Sequence, residues 1–204
     1  MDRHEDPDLL ARELLPLLRR FCISPYGIAV GGSYAKGNSD ALSDLDIYVF
    51  AQQVLPGRRR SELIVEALGK TSKAVSWGRD DPFIEGGTDF WYQGRRVECW
   101  LRNAQQVETT IASCKQGQIR REYAVWAVMG FFNYVLFADL QTMRIMEDPH
   151  GMLTHWKEET RAYPEPLRRA IVDRFLREAA FWRDNFHYRS AIERVDIIYT
   201  SGIV

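Results

Sequence analysis

Two aspartates one residue apart, Asp44 and Asp46, stand in the segment Asp44-Leu45-Asp46-Ile47-Tyr48-Val49-Phe50. The rest of that segment is apolar, β-branched and aromatic, which predicts a strand. Side chains alternate along a strand, so residues two apart point the same way. Two carboxylates therefore project side by side. Like charges at that separation repel, and burying them uncompensated is unfavourable. A divalent cation resolves the conflict, and oxygen ligands in the company of phosphate favour magnesium. Just upstream, the short apolar strand Ile28-Ala29-Val30 ends in Gly31-Gly32-Ser33. Glycine lacks the Cβ that would hold a ligand away from the backbone. Consecutive N–H groups and a hydroxyl at the mouth of a following helix suit a phosphate, and Lys36 adds a positive charge. Taken singly, a Gly-Gly-Ser turn is usually only a turn, and an Asp-x-Asp pair usually an exposed strand end. The short interval between the two is what gives them chemical meaning together.

The stretch from Gly31-Gly32-Ser33 through Lys36-Gly37 to Ser43-Asp44-Leu45-Asp46 resembles the signature of the polymerase-β-like nucleotidyltransferase superfamily. Within it, the chain is similar to the minimal and antibiotic (aminoglycoside and lincosamide) nucleotidyltransferase branch. The resemblance is specific over about twenty residues, and over the second half of the chain it is only loose, in order and length. It implies a mixed-sheet catalytic domain in which Gly31, Gly32, Ser33 and Lys36 surround a nucleoside triphosphate, with Ser33 on the triphosphate itself. It also implies that Asp44 and Asp46 hold Mg2+. The superfamily's third carboxylate comes from a later strand, where Glu98 in Arg95-Arg96-Val97-Glu98-Cys99-Trp100-Leu101 is the best match. Val97, Cys99 and Leu101 form one apolar face, so Glu98 points to the other. In the antibiotic branch a glutamate here acts as general base; a third metal ligand is the other option. Asp89, on the facing strand, is the rival, and a cross-strand ion pair with an arginine is the plainer role for Glu98. The expected activity is transfer of a nucleoside monophosphate from a Mg-NTP, ATP first among candidates, to a hydroxyl of a small-molecule acceptor. An antibiotic is one candidate acceptor. The alternative is a nucleotide-binding or protein-modifying toxin–antitoxin or regulatory component, although such chains are usually short and lack a long helical half.

The elements that must position these residues are legible in the same way. Residues 7–21 place leucines at helical spacing, from Leu9 and Leu10 through Leu14 and Leu15 to Leu17 and Leu18, predicting an amphipathic helix. Ser24-Pro25-Tyr26-Gly27 predicts a turn. Arg60 to Lys70 suits a helix ended by Gly69. Thr88–Tyr92 and Arg95–Leu101 suit a hairpin joined by Gln93-Gly94. From about residue 115 the period changes. Tyr123 to Leu140 is apolar at helical spacing, broken by Pro149 and Gly151. Pro164-Glu165-Pro166 opens a helix expected to run through Arg189, with a last helical stretch to about Tyr199. The expectation is an α/β (α+β) fold: a mixed-sheet catalytic domain over 1–112, followed by an all-helical domain over 113–204. Ile197, Ile198, Ile203 and Val204 make the end apolar, predicting a helical half either completed by a second subunit, as in a homodimer, or truncated.

Composition narrows the partners. The chain of 204 residues has 27 basic and 28 acidic residues, a formal net charge of -1, without the basic excess of a protein that coats nucleic acid. The densest basic cluster, Arg58-Arg59-Arg60, suits a solvated helix start. No apolar run approaches the roughly 20 residues of a membrane span, and the acidic, polar start is unlike a secretory leader. Three cysteines, Cys22, Cys99 and Cys114, sit among apolar neighbours at spacings that fit no metal or redox motif. Buried reduced thiols and a cytoplasmic location are expected. The four histidines are scattered, and His150 and His155, five apart, do not share a helical face. Trp91, Tyr92, Trp100 and Trp126 are candidates to line an acceptor pocket.

Overall fold

The alternation that places Asp44 and Asp46 on one side of a strand places Leu45, Ile47 and Val49 on the other, and all three are fully buried. The computed structural model describes residues 7–70, 72–78, 86–124, 127–184 and 192–194. In it, α1 (Pro7–Leu18) runs into a 3-10 turn at Arg19–Phe21, and β1 (Cys22–Val30) leads to α2 (Gly32–Lys36). Then follow β2 (Leu45–Val54), α3 (Gly57–Leu68), β3 (Ala74–Trp77), β4 (Gly87–Tyr92), β5 (Arg95–Asn103) and α4 (Ala104–Lys115). Beyond these lie β6 (Arg121–Ala124), β7 (Ala127–Phe132), α5 (Val135–Thr142), β8 (Arg144–Glu147), α6 (Met152–Glu159) and α7 (Glu165–Asp184).

The main sheet has the order β3-β4-β5-β2-β1-β8. Only its central pair, β2 and β5, is parallel; the pairs flanking it are antiparallel. The fold is thus α+β around a mixed sheet, as expected. Under one face of the sheet lies the apolar core, where Ile47, Val49, Cys99 and Leu101 meet Leu10, Leu14, Phe21 and Ile64. Leucines at helical spacing in α1 supply this face, which is why the helix forms where it does: a short helix is marginal alone, and burial of such a stripe stabilises it despite Pro16 in its interior.

Several local features differ from the sequence expectation. Ser24-Pro25-Tyr26-Gly27 is no turn but part of β1, whose register against β2 shifts between Ile23 and Tyr26. Proline has no N–H to donate to a ladder, and a bulge is where a strand tolerates it. Helix α3 starts at Gly57, earlier than Arg60, and ends at Gly69 as expected. Arg58 is solvated, but Arg60 is 4% exposed; its guanidinium donates to Thr88 Oγ1 at 2.8 Å and the Gly87 carbonyl at 3.2 Å. The β4–β5 hairpin turns on Gln93 (φ 49) and Gly94 (φ 79), the two consecutive positive φ values of a type I′ turn. Cys99 and Cys114 are buried and Cys22 partly so, all as free thiols.

The all-helical reading of 113–204 is corrected by β6, β7 and β8. The apolar run from Tyr123 makes a two-stranded hairpin and only then a helix. Gly130 explains the difference. Its φ is +89, and a Cβ there would come within 2.4 Å of the Arg121 side chain of β6, a close approach and a backbone angle foreign to a helix interior. β8 pairs with β1 and closes the main sheet. The chain divides into two compact units, Met1–Ala112 with Arg120–Ala162, and Ser113–Ile119 with Tyr163–Val204. The second unit contains α7, opened by Pro164-Glu165-Pro166. There the Glu165 carboxylate pairs with Arg168 and Arg169, a favourable place for a negative charge at a helix start. The expected continuation to Arg189, the stretch to Tyr199 apart from residues 192–194, the apolar end and Trp126 lie outside the described residues. No described helix is long and apolar enough to cross a membrane.

Candidate functional site

The second face of the main sheet carries the charged residues. The register aligns Asp46 with Glu98 across the parallel β2–β5 pair, and Glu98 with Asp89 across the antiparallel β4–β5 pair. Three carboxylates therefore stand in a row on adjacent strands, where direct neighbours have Cβ atoms about 5 Å apart. Asp44 precedes β2 by one residue and reaches the same face, since Arg96 bridges it to Glu98. The Arg96 guanidinium contacts Glu98 Oε1 at 2.8 Å, Asp89 Oδ2 at 3.1 Å and Asp44 Oδ2 at 3.2 Å.

Electrostatics separates these carboxylates. Burial, then the nearby charges of Asp44 and Asp139, push the Asp46 carboxyl up to about 6, while Lys36 and Arg96 oppose the rise. Burial also raises Glu98; Arg96 opposes it, and Asp89, Asp46 and Asp44 add to it. Asp89 is differently placed. The Trp77 indole donates to its Oδ1 at 2.8 Å and Arg96 binds its Oδ2, so both oxygens are engaged in holding the sheet edge.

The glycines earn their place by close approach. Gly32 has φ +55, and a Cβ there would sit 1.7 Å from Asp46 Oδ2. A Cβ on Gly31 would meet the Tyr48 ring at 2.3 Å. The chain thus lies directly against the Asp46 carboxylate, pinned by a bond from the Gly31 N–H to the Asp46 carbonyl at 2.9 Å. Ser33 is the second residue of α2 and half-buried; Lys36, at its end, is exposed. At five residues α2 brings little helix dipole, so the phosphate affinity expected there falls to the loop itself. Arg95 braces this loop from β5, donating to the Tyr34 hydroxyl and, at 2.8 Å, to the Ser43 carbonyl. Before Asp44, the Asp40 carboxylate accepts from Ser43 Oγ and the Leu42 N–H, both at 2.9 Å, which closes the turn feeding β2.

At the other end of this face, Arg102 is buried, pairs with Asp139 at 2.5 Å, and lies over the Tyr48 and Phe50 rings. Trp156 of α6 packs on Phe50 at 5.8 Å between centroids. Asp139 comes from α5, so a segment expected in a separate helical domain brings charge to Asp46. Trp100 and Trp77 meet edge to face at 4.8 Å beside the carboxylates, whereas Trp91 is largely exposed and Tyr92 bonds to Glu13. A cavity of about 510 Å³ beside Pro56, Arg58 and Trp77 takes none of the four carboxylates into its lining.

Among the described residues, no three His, Cys, Asp or Glu side chains already form a metal-binding group; the Arg96 guanidinium contacts Asp44, Asp89 and Glu98. The donor set nevertheless suits a hard divalent cation. Asp44, Asp46 and Glu98 offer only oxygens, Gly32 has no side chain over the Asp46 carboxylate it lies against, and burial followed by the neighbouring carboxylates disfavours the charged form of Asp46, which a cation would favour. Sequence reasoning brought Asp44, Asp46, Glu98, Gly31 and Gly32 together, as found. It missed Arg96, Arg95, Trp77, Arg102 and Asp139. Arg96 was open to the same alternation that oriented Glu98, two residues on. No family model matches the chain, and no curated protein matches it.

Proposed function

We propose that the chain is a nucleotidyltransferase that moves a nucleoside monophosphate from a Mg-NTP, ATP first among candidates, to a hydroxyl of a small-molecule acceptor. The observation that carries this reading is the alignment of Asp46 with Glu98 on adjacent parallel strands, with Gly31-Gly32 laid against the Asp46 carboxylate. Asp44 and Asp46 are the residues to hold Mg2+. When bound, Mg2+ supplies positive charge that neutralises the triphosphate and the departing pyrophosphate. Gly31, Gly32 and Ser33 let the phosphates approach the backbone. Glu98, with its carboxyl held above the ordinary range by burial, takes the proton from the acceptor hydroxyl. The acceptor oxygen then bonds to the α-phosphorus as the bond from that phosphorus to the pyrophosphate oxygen breaks. Asp89 is a poorer base, since Trp77 and Arg96 engage both its oxygens. Positioning and electrostatics supply most of the acceleration in such transfers.

A screen of nucleoside triphosphates against hydroxylated small molecules, read as pyrophosphate release, tests this. Mg2+-dependent release with at least one pair, lost in Asp46→Asn, is the expected result. Base-labelled ATP that marks a protein in a lysate, and no small molecule, would favour the protein-modifying alternative. No release and no nucleotide binding at millimolar concentration would refute both.

A further inference from the structure

Arg96 touches three carboxylates at once, while Asp46 makes no ion pair among the described residues. The three contacts are not equivalent. Asp89 is 20% exposed and Glu98 22%, against 35% for Asp44. The Arg96–Asp44 contact is also the longest of the three. Exposed ion pairs contribute least, so Asp44 is the partner Arg96 gives up most readily. Asp89 is fixed from its far side by Trp77, and it keeps hold of the guanidinium when Asp44 leaves.

We infer that Arg96 is a resident counter-cation of the carboxylate row, which holds Asp44 and Glu98 in place and competes with a divalent cation for Asp44. This rests on the reading that Asp44 and Asp46 take such a cation. A guanidinium and a divalent ion on one carboxylate repel each other, so Arg96 weakens binding of the free cation. Asp89 and Trp77 act as the post that retains Arg96 beside the site. Arg96 is thus a positioning residue, and its role is distinct from that of Glu98.

Binding of Mn2+ alone, followed by electron paramagnetic resonance of the free ion, separates the possibilities without nucleotide or acceptor. Arg96→Gln should bind Mn2+ more tightly than the native chain, on the order of tenfold, the size expected from removing one unit charge beside a partly exposed cation. Asp46→Asn should abolish that binding. Unchanged or weaker binding in Arg96→Gln, with Asp46-dependent binding in the native chain, overturns the role of Arg96 and leaves the metal reading standing. No Asp46-dependent binding in either chain overturns both. If Arg96→Gln does not fold, nitrogen-15 NMR of the native chain decides. The Arg96 guanidinium signal should move on adding Mg2+, with the midpoint of the Asp46-dependent binding; a signal that stays still while Mg2+ binds overturns the inference.

Discussion

The two faces of β2 come from the same ten-residue strand, yet they are built to opposite ends. Leu45, Ile47 and Val49 face α1 and α3 and are fully buried with apolar neighbours. Asp46 faces the other way, against Gly32, with Glu98 beside it and other negative charges near. The first face lowers the free energy of the fold by removing apolar surface from water. The Asp46 end of the second raises it, by holding carboxylates close with one bridging arginine among them, whereas its Phe50 end is buried against Trp156. Structure that is locally unfavourable persists where the rest of the fold over-determines it, and such places are where function resides. The apolar face is the reason the charged one can be kept.

The largest effect should appear on the charged face, in rate rather than stability. Glu98→Gln keeps the shape and removes the proton acceptor, so turnover should fall by a factor on the order of 10² to 10⁴ with nucleotide binding intact. Asp89→Asn should leave most activity. Steady-state kinetics with an identified acceptor checks both, and the reverse ranking would reassign the base. Next, one residue along β2 from Asp46, Ile47→Ala should destabilise the fold by about 2–5 kcal/mol, read from chemical denaturation. A value near zero would mean the apolar face is not the support assumed here.

Smaller, and diagnostic of close approach, is Gly32→Ala. The added Cβ meets the Asp46 carboxylate and a positive φ, so a loss of about 1–3 kcal/mol is expected, with loss of cation-dependent binding. Activity and stability both unchanged would show that the loop yields freely.

The last effect is a pH dependence. Asp46 rises from an ordinary 3.8 to about 6 in the fold, so the folded chain binds its proton more tightly than the unfolded one. The stability this contributes is full below about pH 4 and is lost as pH rises through about 6. Asp46→Asn removes the slope. The difference in unfolding free energy between native and variant, in metal-free buffer, should therefore shift in favour of the variant across that window. A flat difference would show that burial and the neighbouring carboxylates do not raise the Asp46 carboxyl in the fold.

Much of this site was legible because alternation is local. Knowing that Asp44 and Asp46 share a face, and that Val97, Cys99 and Leu101 oppose Glu98, needs only the strand period. The same rule puts Arg96 on that face, two residues before Glu98 on the same strand, although a cross-strand arginine is the usual partner of a strand carboxylate. Trp77 and Asp139 lie beyond such reasoning, because only the pairing of β3 with β4 and the return of α5 bring them near. The helical reading of Tyr123–Leu140 is met only from Val135, in α5, and fails before it for a related cause. An apolar run fits a buried helix or a hairpin equally well, and Gly130 was the residue that distinguished them.

The central claim is that Asp46 and its neighbours bind a nucleoside triphosphate through a divalent cation. Calorimetric titration of ATP into the native chain and Asp46→Asn, each with Mg2+ and with chelator, tests it most directly. The account predicts heat of binding only for the native chain with Mg2+, or with another nucleoside triphosphate if ATP is not the substrate. Equal binding by Asp46→Asn, or binding unaffected by chelator, would contradict it.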